Sequence, residues 1–192
     1  NMLDTSAILQ KVEHTPYAKS DLCIVSVGRF APEKHFENIV PAAKALQAMN
    51  LAFMWHIVGD GSERARVEML ITENALKDYV ILEGSKTNPY PYMKYADLFV
   101  HPSYIESQGL TVLEAMTLGV PCVVTKSRGP CEFIKDGVNG LLTEQSPESL
   151  TEKVLSILTD KTLYQSIKEN TVCPEQFGPD RDMKQIEELI DG

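Results

Sequence analysis

The segment His101–Met116 holds most of the residues that could do chemistry. It reads HPSYIESQGLTVLEAM, with seven residues between its two carboxylates, Glu106 and Glu114. We predict that a helix begins at Gly109, which places Glu106 in the preceding loop and Glu114 more than one turn into the helix. A carboxylate near an apolar core is costly without hydrogen-bond partners, and sugar hydroxyls are suitable ones. A surface acid in the loop and a helix acid paired with a neighbour are the alternatives.

A second group of residues suits a bound anion. Gly28 and Arg29 follow the first apolar run, and Lys34 lies where the next helix is expected to begin. Arginine offers a planar fork of donors and lysine a point charge, and both bind phosphate groups. The first N–H groups of a helix have no partner within it, so Gly109 and Leu110 could add backbone donors. The alternative is a basic turn that is merely solvated.

The remaining motifs are weaker. Gly59–Arg64 reads GDGSER, a partial dinucleotide fingerprint, and Glu83 lies at about the distance expected of a ribose-binding acid. We favour a tight turn that precedes a helix. The sequence contains no GxxxxGK[ST] phosphate loop and no HExxH zinc motif. We interpret His56 and His101 as packing residues at strand ends.

Short apolar runs alternate with longer amphipathic stretches along the chain. The runs are apolar on both faces, which is typical of a parallel sheet covered by helices. We predict strands at Leu22–Val27, Phe53–Val58, Val80–Leu82, Leu98–Val100, Cys122–Thr125 and Leu141–Leu142, and helices at Phe36–Met49, Glu63–Asn74, Gly109–Leu118 and from Ser146 onward. Ser62 and Ser146 are the expected N-caps of two helices. The alternation predicts an α/β fold, a Rossmann-like doubly wound parallel sheet with helices on both faces.

Composition excludes several classes of protein. The 192 residues include 18 basic and 27 acidic side chains, a net charge of −9, which argues against a nucleic-acid-binding surface. No apolar run approaches the ~18 residues that a membrane span needs, and no signal peptide is visible. Without a CxxC spacing, the cysteines are expected to be free thiols of a cytoplasmic protein. These cysteines are Cys23, Cys122, Cys131 and Cys173.

Five stretches together resemble the C-terminal, donor-binding domain of family 4 glycosyltransferases, the group 1 glycosyltransferases, which have the two-domain GT-B architecture. They are VSVGRFAPEKHFENIV, HIVGDGSERARVE, VILEGS, YADLFVHPSYIESQGLTVLEAMTLGVPCVVT and EFIKDGVNGLL. The resemblance extends in this order from Leu22 to about Leu158. The pair of glutamates is the most specific feature, because it lies within the longer pattern SxxExxGLxxLEAM.

The resemblance implies a donor diphosphate site. Arg29 and Lys34 match the basic pair that holds the diphosphate, with Gly28 beside them. Gly109 and Leu110 match the backbone donors to a phosphate. A leaving nucleoside diphosphate gains charge as the glycosidic bond breaks, and these groups would stabilise it. No metal and no cofactor are then expected, since the nucleotide sugar is a substrate.

The resemblance also implies roles for three residues outside the diphosphate site. Glu106 matches the catalytic acid that contacts the donor sugar, and Glu114 matches the acid on the ribose hydroxyls. Ile81 matches a position whose backbone meets the nucleobase, in a UDP- or GDP-sugar.

The sequence departs from the family pattern at three places. His35 stands where glycine is frequent, Gln108 replaces a common aromatic residue, and Arg128–Cys131 replaces the usual double-glycine run. These departures bear on the identity of the donor sugar rather than on the diphosphate site.

The chain is about half of what the resemblance implies for a whole enzyme. We expect an interdomain linker at residues 1–20, a nucleotide-sugar-binding domain at 21–172, and a C-terminal crossover segment with a helix at 173–192. The missing N-terminal domain would supply the acceptor site and any peripheral contact with the inner face of a membrane. The expected activity is transfer of a hexose-type sugar, with retained anomeric configuration, to a saccharide or lipid-linked acceptor. By analogy, polysaccharide biosynthesis is the expected setting.

Two other functions are considered. One is a free-standing nucleotide-sugar-binding module without catalysis, and an α/β domain encoded upstream would argue against it. The other is a sugar-nucleotide epimerase of similar fold, which the context of the two glutamates disfavours.

Overall fold

A computed structural model describes residues 4–12, 16 and 22–174. Its core is a sheet of six parallel strands, as predicted. The strands are β1 Leu22–Val27, β2 Phe53–Val58, β3 Val80–Gly84, β4 Leu98–His101, β5 Cys122–Thr125 and β6 Leu141–Thr143. Three of them, β3, β4 and β6, are one or two residues longer than the sequence indicated.

Seven α-helices connect and cover the strands within the described residues. They are α1 Thr5–Gln10, α2 Ile39–Ala48, α3 Arg64–Glu73, α4 Tyr90–Lys94, α5 Leu110–Thr117, α6 Pro147–Thr159 and α7 Lys161–Asn170. Ser146 caps α6 as predicted, because its side chain accepts a hydrogen bond from the Ser149 N–H. The prediction for Ser62 is wrong. Glu63 is the residue before α3, and the Ser62 hydroxyl lies 3.4 Å from the Phe30 carbonyl oxygen instead.

The strand order, β3-β2-β1-β4-β5-β6, confirms the predicted Rossmann-like, doubly wound sheet. The order reverses between β1 and β4, so the loops that follow these two strands leave the sheet in opposite directions. A crevice beyond the carboxyl ends of the strands forms at such a switch point. The two strands pair only at Ile24–Leu98 and Val25–Phe99. Beyond these two pairs the strands are no longer joined through the backbone, and the crevice opens past their carboxyl ends.

Two apolar cores lie on opposite faces of the sheet. Helices α2, α3, α6 and α7 cover one face, where Trp55 and Phe53 are buried. Helices α1, α4 and α5 cover the other, where Phe99 and Met116 are buried. Cys23 and Cys122 are buried in the strands, as their apolar surroundings in the sequence suggest. The sheet is thus buried on both faces, and its loop-bearing edge is the surface left for a ligand.

The two ends of the chain are described in part. Within the predicted linker, α1 packs against α5, and its Ile8 is only 3% exposed. This contact could not be predicted from the sequence, because a single buried isoleucine makes no apolar pattern. In the predicted C-terminal segment the structure describes only Cys173 and Pro174. The predicted helix at Asp180–Ile190 lies outside the described residues.

A buried polar pair closes the sheet just below the crevice. Beyond the last paired residues of β1 and β4, the Ser26 hydroxyl donates a hydrogen bond to the Val100 carbonyl oxygen at 2.6 Å. It also accepts one from the indole N–H of Trp55 at 3.1 Å. Both side chains are fully buried.

We predict that Ser26→Ala lowers the free energy of unfolding by about 1–3 kcal/mol, because the Trp55 indole N–H is left buried without its partner. Urea denaturation of the 192-residue chain measures the change. Ser62→Ala is the matched control, since its hydroxyl makes only a long contact at the surface. Equal stability of Ser26→Ala and the wild type would contradict the prediction.

Candidate functional site

Two adjoining cavities lie at the switch point of the sheet. The first, the inner cavity, has a volume of about 240 Å³ between the loops that follow β1 and β4. It is lined by Val27, Gly28, Arg29, Lys34, His101, Glu106, Ser107, Gln108, Leu110 and Thr111. The second, the outer cavity, has a volume of about 380 Å³. Val27, Gly28 and Arg29 line both cavities. The outer cavity continues past β2 and β3 to Val58, Gly59, Asp60, Ser85, Lys86 and Pro89.

A larger cavity of about 500 Å³ lies at the opposite end of the sheet. Leu22 at the start of β1 and Asp97 just before β4 line it, together with residues of α6 and α7. Open α/β sheets bind ligands at the carboxyl ends of their strands, not at the amino ends. The candidate site is therefore the pair of smaller cavities.

Lys34 and Glu106 form the central contact of the inner cavity. The Lys34 Nζ lies 2.6 Å from Glu106 Oε2, and both side chains are 17% exposed. Arg29 is on the outside of the same cavity: it is 74% exposed and pairs with Glu33 at 3.2 Å. The structure thus brings the two predicted cations and the loop carboxylate to one cavity.

His35 sets the turn that carries Lys34. It has a φ of 47°, in the left-handed region that favours glycine, and it ends the 3-10 turn Pro32–Lys34. Its ring stacks on Tyr104 with centroids 3.8 Å apart, and its Nδ1 lies 3.2 Å from Glu37. These contacts offset the strain, so histidine keeps the turn that glycine would form.

Helix α5 points its first turn at the inner cavity. Gly109 is the N-cap, with a φ of 70°, and no side chain caps the free N–H groups of the first turn. A Cβ at Gly109 would lie 3.1 Å from both Phe133 and Pro130, so the position also lacks room for a side chain. Leu110 begins the helix and lines the cavity. The helix start therefore offers backbone donors and a partial positive charge to an anion.

The Glu106 carboxylate is held ionised. His101 and Lys34 lower its pKa well below the ordinary value, against the opposite effect of burial. The Glu106 carbonyl oxygen accepts a hydrogen bond from the Gly129 N–H at 2.9 Å. The segment Arg128–Cys131, which departs from the family pattern, thus still supports the loop that carries this acid.

Glu114 lies on α5, one turn beyond the helix start. Burial raises its pKa, and the Tyr90 hydroxyl donates a hydrogen bond to its Oε1 at 3.2 Å. Glu114 is absent from the lining of both cavities within the described residues, although Pro89, next to Tyr90, lines the outer one. Leu110, at the start of the same helix, lines the inner cavity, whereas the Glu114 carboxylate lines neither.

Ile81 lies apart from the other predicted site residues. It is in the middle of β3, opposite His56 of β2, and it lines a separate cavity of about 310 Å³ at the edge of the sheet. The strand continues to Gly84, so Ser85 and Lys86 are the residues that leave β3 at the outer cavity. Sequence reasoning missed them because it ended the strand two residues early.

His56 and Glu83 form a network beside the outer cavity. Glu83 accepts from Tyr92 at 3.0 Å, and it lies 2.8 Å from His56 and 3.5 Å from Lys86. The carboxylate already has these partners and is poorly placed to bind a ribose as in a dinucleotide fold. Gly59 of the GDG turn is explained by packing, since a Cβ there would lie 1.8 Å from the Gly28 carbonyl oxygen.

Sequence reasoning also missed His101 as a site residue. It lines the inner cavity, and its Nε2 lies 3.5 Å from Glu106 Oε2. Its position at the end of a strand suggested a packing role alone. The sequence does not indicate that the loop after β4 brings Glu106 back to His101.

A metal-binding cluster and a membrane-spanning helix are both absent from the described residues. No group of three or more His, Cys, Asp or Glu side chains is placed to hold a metal ion there. In the same part of the chain, no helix combines the length and the apolar character needed to cross a bilayer.

The chain is similar to glycosyltransferases in sequence. It is 31% identical over 147 residues to the lipopolysaccharide core biosynthesis glycosyltransferase LpsE of Rhizobium meliloti, covering 76% of this chain and 42% of that protein. It is 28% identical over 156 residues to a poly(ribitol-phosphate) alpha-N-acetylglucosaminyltransferase of Staphylococcus aureus, covering 80% and 32%. The chain thus spans less than half the length of these relatives.

The fold is similar to that of solved glycosyltransferase structures. Anabaena Alr3699/HepE in complex with UDP and glucose matches 100% of this chain and 55% of its own, with a TM-score of 0.82 and 22% identity. The pneumococcal O-GlcNAc transferase GtfA in complex with UDP and GlcNAc has a TM-score of 0.80 at 20% identity, covering 100% and 38%. Residues 10–172 match the family of glycosyl transferases group 1, which confirms the resemblance seen in the sequence. Because this match covers most of its 192 residues, the chain belongs to the group 1 glycosyltransferases.

Proposed function

We propose that this chain is the donor-binding half of an enzyme that transfers a hexose-type sugar from a nucleoside-diphosphate sugar to a saccharide or lipid-linked acceptor. One observation carries the proposal: Arg29, Lys34, Glu106 and the start of α5 surround a single cavity at the switch point. The UDP present in two similar structures supports a nucleotide ligand, and UDP and GDP are the nucleotides to test.

The cations and the start of α5 would bind the diphosphate. Bond breaking places additional negative charge on the phosphate that leaves the sugar, and fixed donors stabilise that charge. Arg29 offers a two-pronged contact from the exposed side, and Lys34 adds a compact charge from inside the cavity. The N–H groups after Gly109 complete the site without the cost of ordering a side chain.

Glu106 would face the donor sugar. It lines the same cavity as Lys34, and its low pKa keeps it charged at neutral pH. Positive charge develops on the sugar ring in the transition state of glycosyl transfer, and a nearby carboxylate stabilises it. We propose that the transfer retains the anomeric configuration and that Glu106 orients the sugar hydroxyls during it.

The ribose and the base would extend from the inner cavity toward the outer cavity. Glu114 would accept hydrogen bonds from the ribose hydroxyls, with Tyr90 already on its Oε1. The base would lie in the outer cavity beside Ser85 and Lys86. Glu83 lies 3.5 Å from the Lys86 Nζ, so this ammonium is a positioned donor for a carbonyl oxygen of uracil or guanine.

The acceptor site would belong to a second domain of the whole protein. The longer relatives support this, since LpsE and the poly(ribitol-phosphate) transferase extend well beyond the matched part. Their names refer to lipopolysaccharide core and to poly(ribitol phosphate), which supports a polysaccharide or cell-envelope acceptor. Any association with the inner face of a membrane would also come from that domain.

The first prediction concerns charge and metal. The chain should bind UDP or GDP equally well with Mg²⁺ and with a chelator, because Arg29, Lys34 and the α5 start supply the counter-charge. Lys34→Met should weaken binding about 10- to 100-fold, the loss expected for a charge-assisted hydrogen bond. Titration calorimetry measures both effects.

Lys153→Met is the matched control for this experiment. Lys153 lies on α6 and pairs with Asp136 at 3.8 Å, outside both cavities. Binding that disappears in chelator would refute the metal-free site. It would then direct attention to Asp180 and Asp182, an Asp-x-Asp pair outside the described residues.

The second prediction separates the two glutamates. Glu114→Gln should weaken UDP and UDP-glucose to a similar extent, about tenfold, because both contain the ribose. Glu106→Gln should weaken UDP-glucose and not UDP, because only the sugar contacts this acid. Calorimetry with both ligands decides the point, and equal losses for both ligands in both variants would show that the acids are misplaced.

The third prediction is that the 192-residue chain does not transfer sugar by itself. Transfer needs donor and acceptor held in one closed site from which water is excluded, and every assigned residue here serves the donor. A transfer assay with UDP- and GDP-sugars and a panel of saccharide acceptors tests it. Glycoside formation over multiple turnovers would reveal an acceptor site within this chain.

A further inference from the structure

The imidazole of His101 contains a buried nitrogen without a hydrogen bond. His101 is the last residue of β4, only 2% exposed, and its Nε2 has no hydrogen-bond partner among the described residues. A buried polar group without a partner lowers stability, so native proteins seldom retain one without a reason. His101 lines the inner cavity, so we look for the explanation in the site.

One carboxylate oxygen lies within reach of this nitrogen. Glu106 Oε2 is 3.5 Å from His101 Nε2, slightly beyond a hydrogen bond, and 2.6 Å from Lys34 Nζ. A carboxylate oxygen can accept two hydrogen bonds, so Lys34 and His101 do not exclude each other. A movement of about half an ångström would complete the second bond.

His101 is suited to donate without adding charge. Burial lowers its pKa, and the nearby Lys34 lowers it further against the opposing effect of Glu106. The ring of Phe99 stacks on the His101 imidazole with centroids 6.3 Å apart, and this phenyl ring carries no charge. A neutral imidazole with its proton on Nε2 is a donor toward Glu106.

We propose that His101 is a positioning residue that holds Glu106 when a diphosphate draws Lys34 away. The inference rests on the proposed function, in which Lys34 has two anionic partners, the carboxylate and the diphosphate. As Lys34 turns to the phosphate, Glu106 Oε2 closes on His101 Nε2–H. The carboxylate then stays oriented toward the sugar despite repulsion from the phosphate. Because the imidazole is neutral, Glu106 keeps its full charge for the sugar.

The first experiment needs no ligand. In Lys34→Met, the carboxylate loses its ammonium partner and should move onto His101 in the empty protein. NMR of the ¹⁵N-histidine-labelled chain follows the Nε2 proton of His101, assigned by its loss in His101→Leu. We expect a proton shifted downfield and exchanging more slowly with water in Lys34→Met than in the wild type. Identical His101 signals in the two proteins would overturn the inference.

The second experiment adds UDP-glucose and UDP. In the wild type, saturating UDP should produce the same downfield shift. His101→Leu should reduce the preference for UDP-glucose over UDP about tenfold, as expected for a lost hydrogen bond to a charged group. His101→Gln, whose amide can donate from nearly the same place, should restore most of it. Loss of stability alone would weaken both ligands together.

The two experiments separate two kinds of failure. Absence of both UDP and GDP binding to the wild type would refute the proposed function, and the Lys34→Met spectra would still decide the role of His101. Normal UDP binding with an unchanged ratio in His101→Leu would refute the role of His101 and leave the donor site standing. If His101→Leu does not fold, loss of the signal in His101→Gln provides the assignment. The comparison of Lys34→Met with the wild type then decides the role of His101.

Discussion

The ion pair between Lys34 and Glu106 joins the loops that follow β1 and β4, which also meet where the Tyr104 N–H donates a hydrogen bond to the Glu33 carbonyl oxygen. Lys34 and Glu106 are 72 positions apart, and their loops leave the sheet on opposite sides of the switch point. The 2.6 Å contact places one cation and one carboxylate at the centre of the inner cavity. The αL turn at His35 positions one partner, and the Gly129 N–H on the Glu106 carbonyl oxygen supports the loop of the other.

This contact depends on the rigidity of the sheet beneath it. A buried ion pair gains little net free energy, because desolvation of both charges offsets their attraction. The stability that keeps the loops in register must come from elsewhere, and the two apolar cores on opposite faces supply it. Ser26 closes β1 and β4 just before they separate, so the opening begins at a defined residue. An ion pair with little net free energy can exchange partners at low cost, which would suit the diphosphate that we propose as the ligand of this cavity.

Most of the fold was predictable because buried parallel strands are apolar on both faces, and this pattern survives in the sequence. The proximity of Arg29, Lys34 and Glu106 was predictable because they follow strands whose carboxyl ends share one edge. Ile81 lies inside β3 and away from the two cavities, because the strand continues past Leu82 to Gly84. No residue type in the sequence marks that continuation. The proximity of His101 to Glu106 depends on a loop that returns over its own strand. A contact of this kind is set by tertiary structure and leaves no periodic signal.

The two glutamates show why spacing alone does not assign roles. Glu106 lies in the loop before α5 and Glu114 lies in α5 itself, yet their environments move their pKa values in opposite directions. Glu106 lies beside the His101 imidazole and the Lys34 ammonium, which favour its charged form, whereas Glu114 is buried with one phenol as its partner, which favours the neutral form. As the pH falls, Glu114 is the first to lose its charge. A carboxylate that stays charged suits the reacting sugar, where positive charge develops. A carboxyl group that bonds in either protonation state suits the ribose hydroxyls, which both donate and accept.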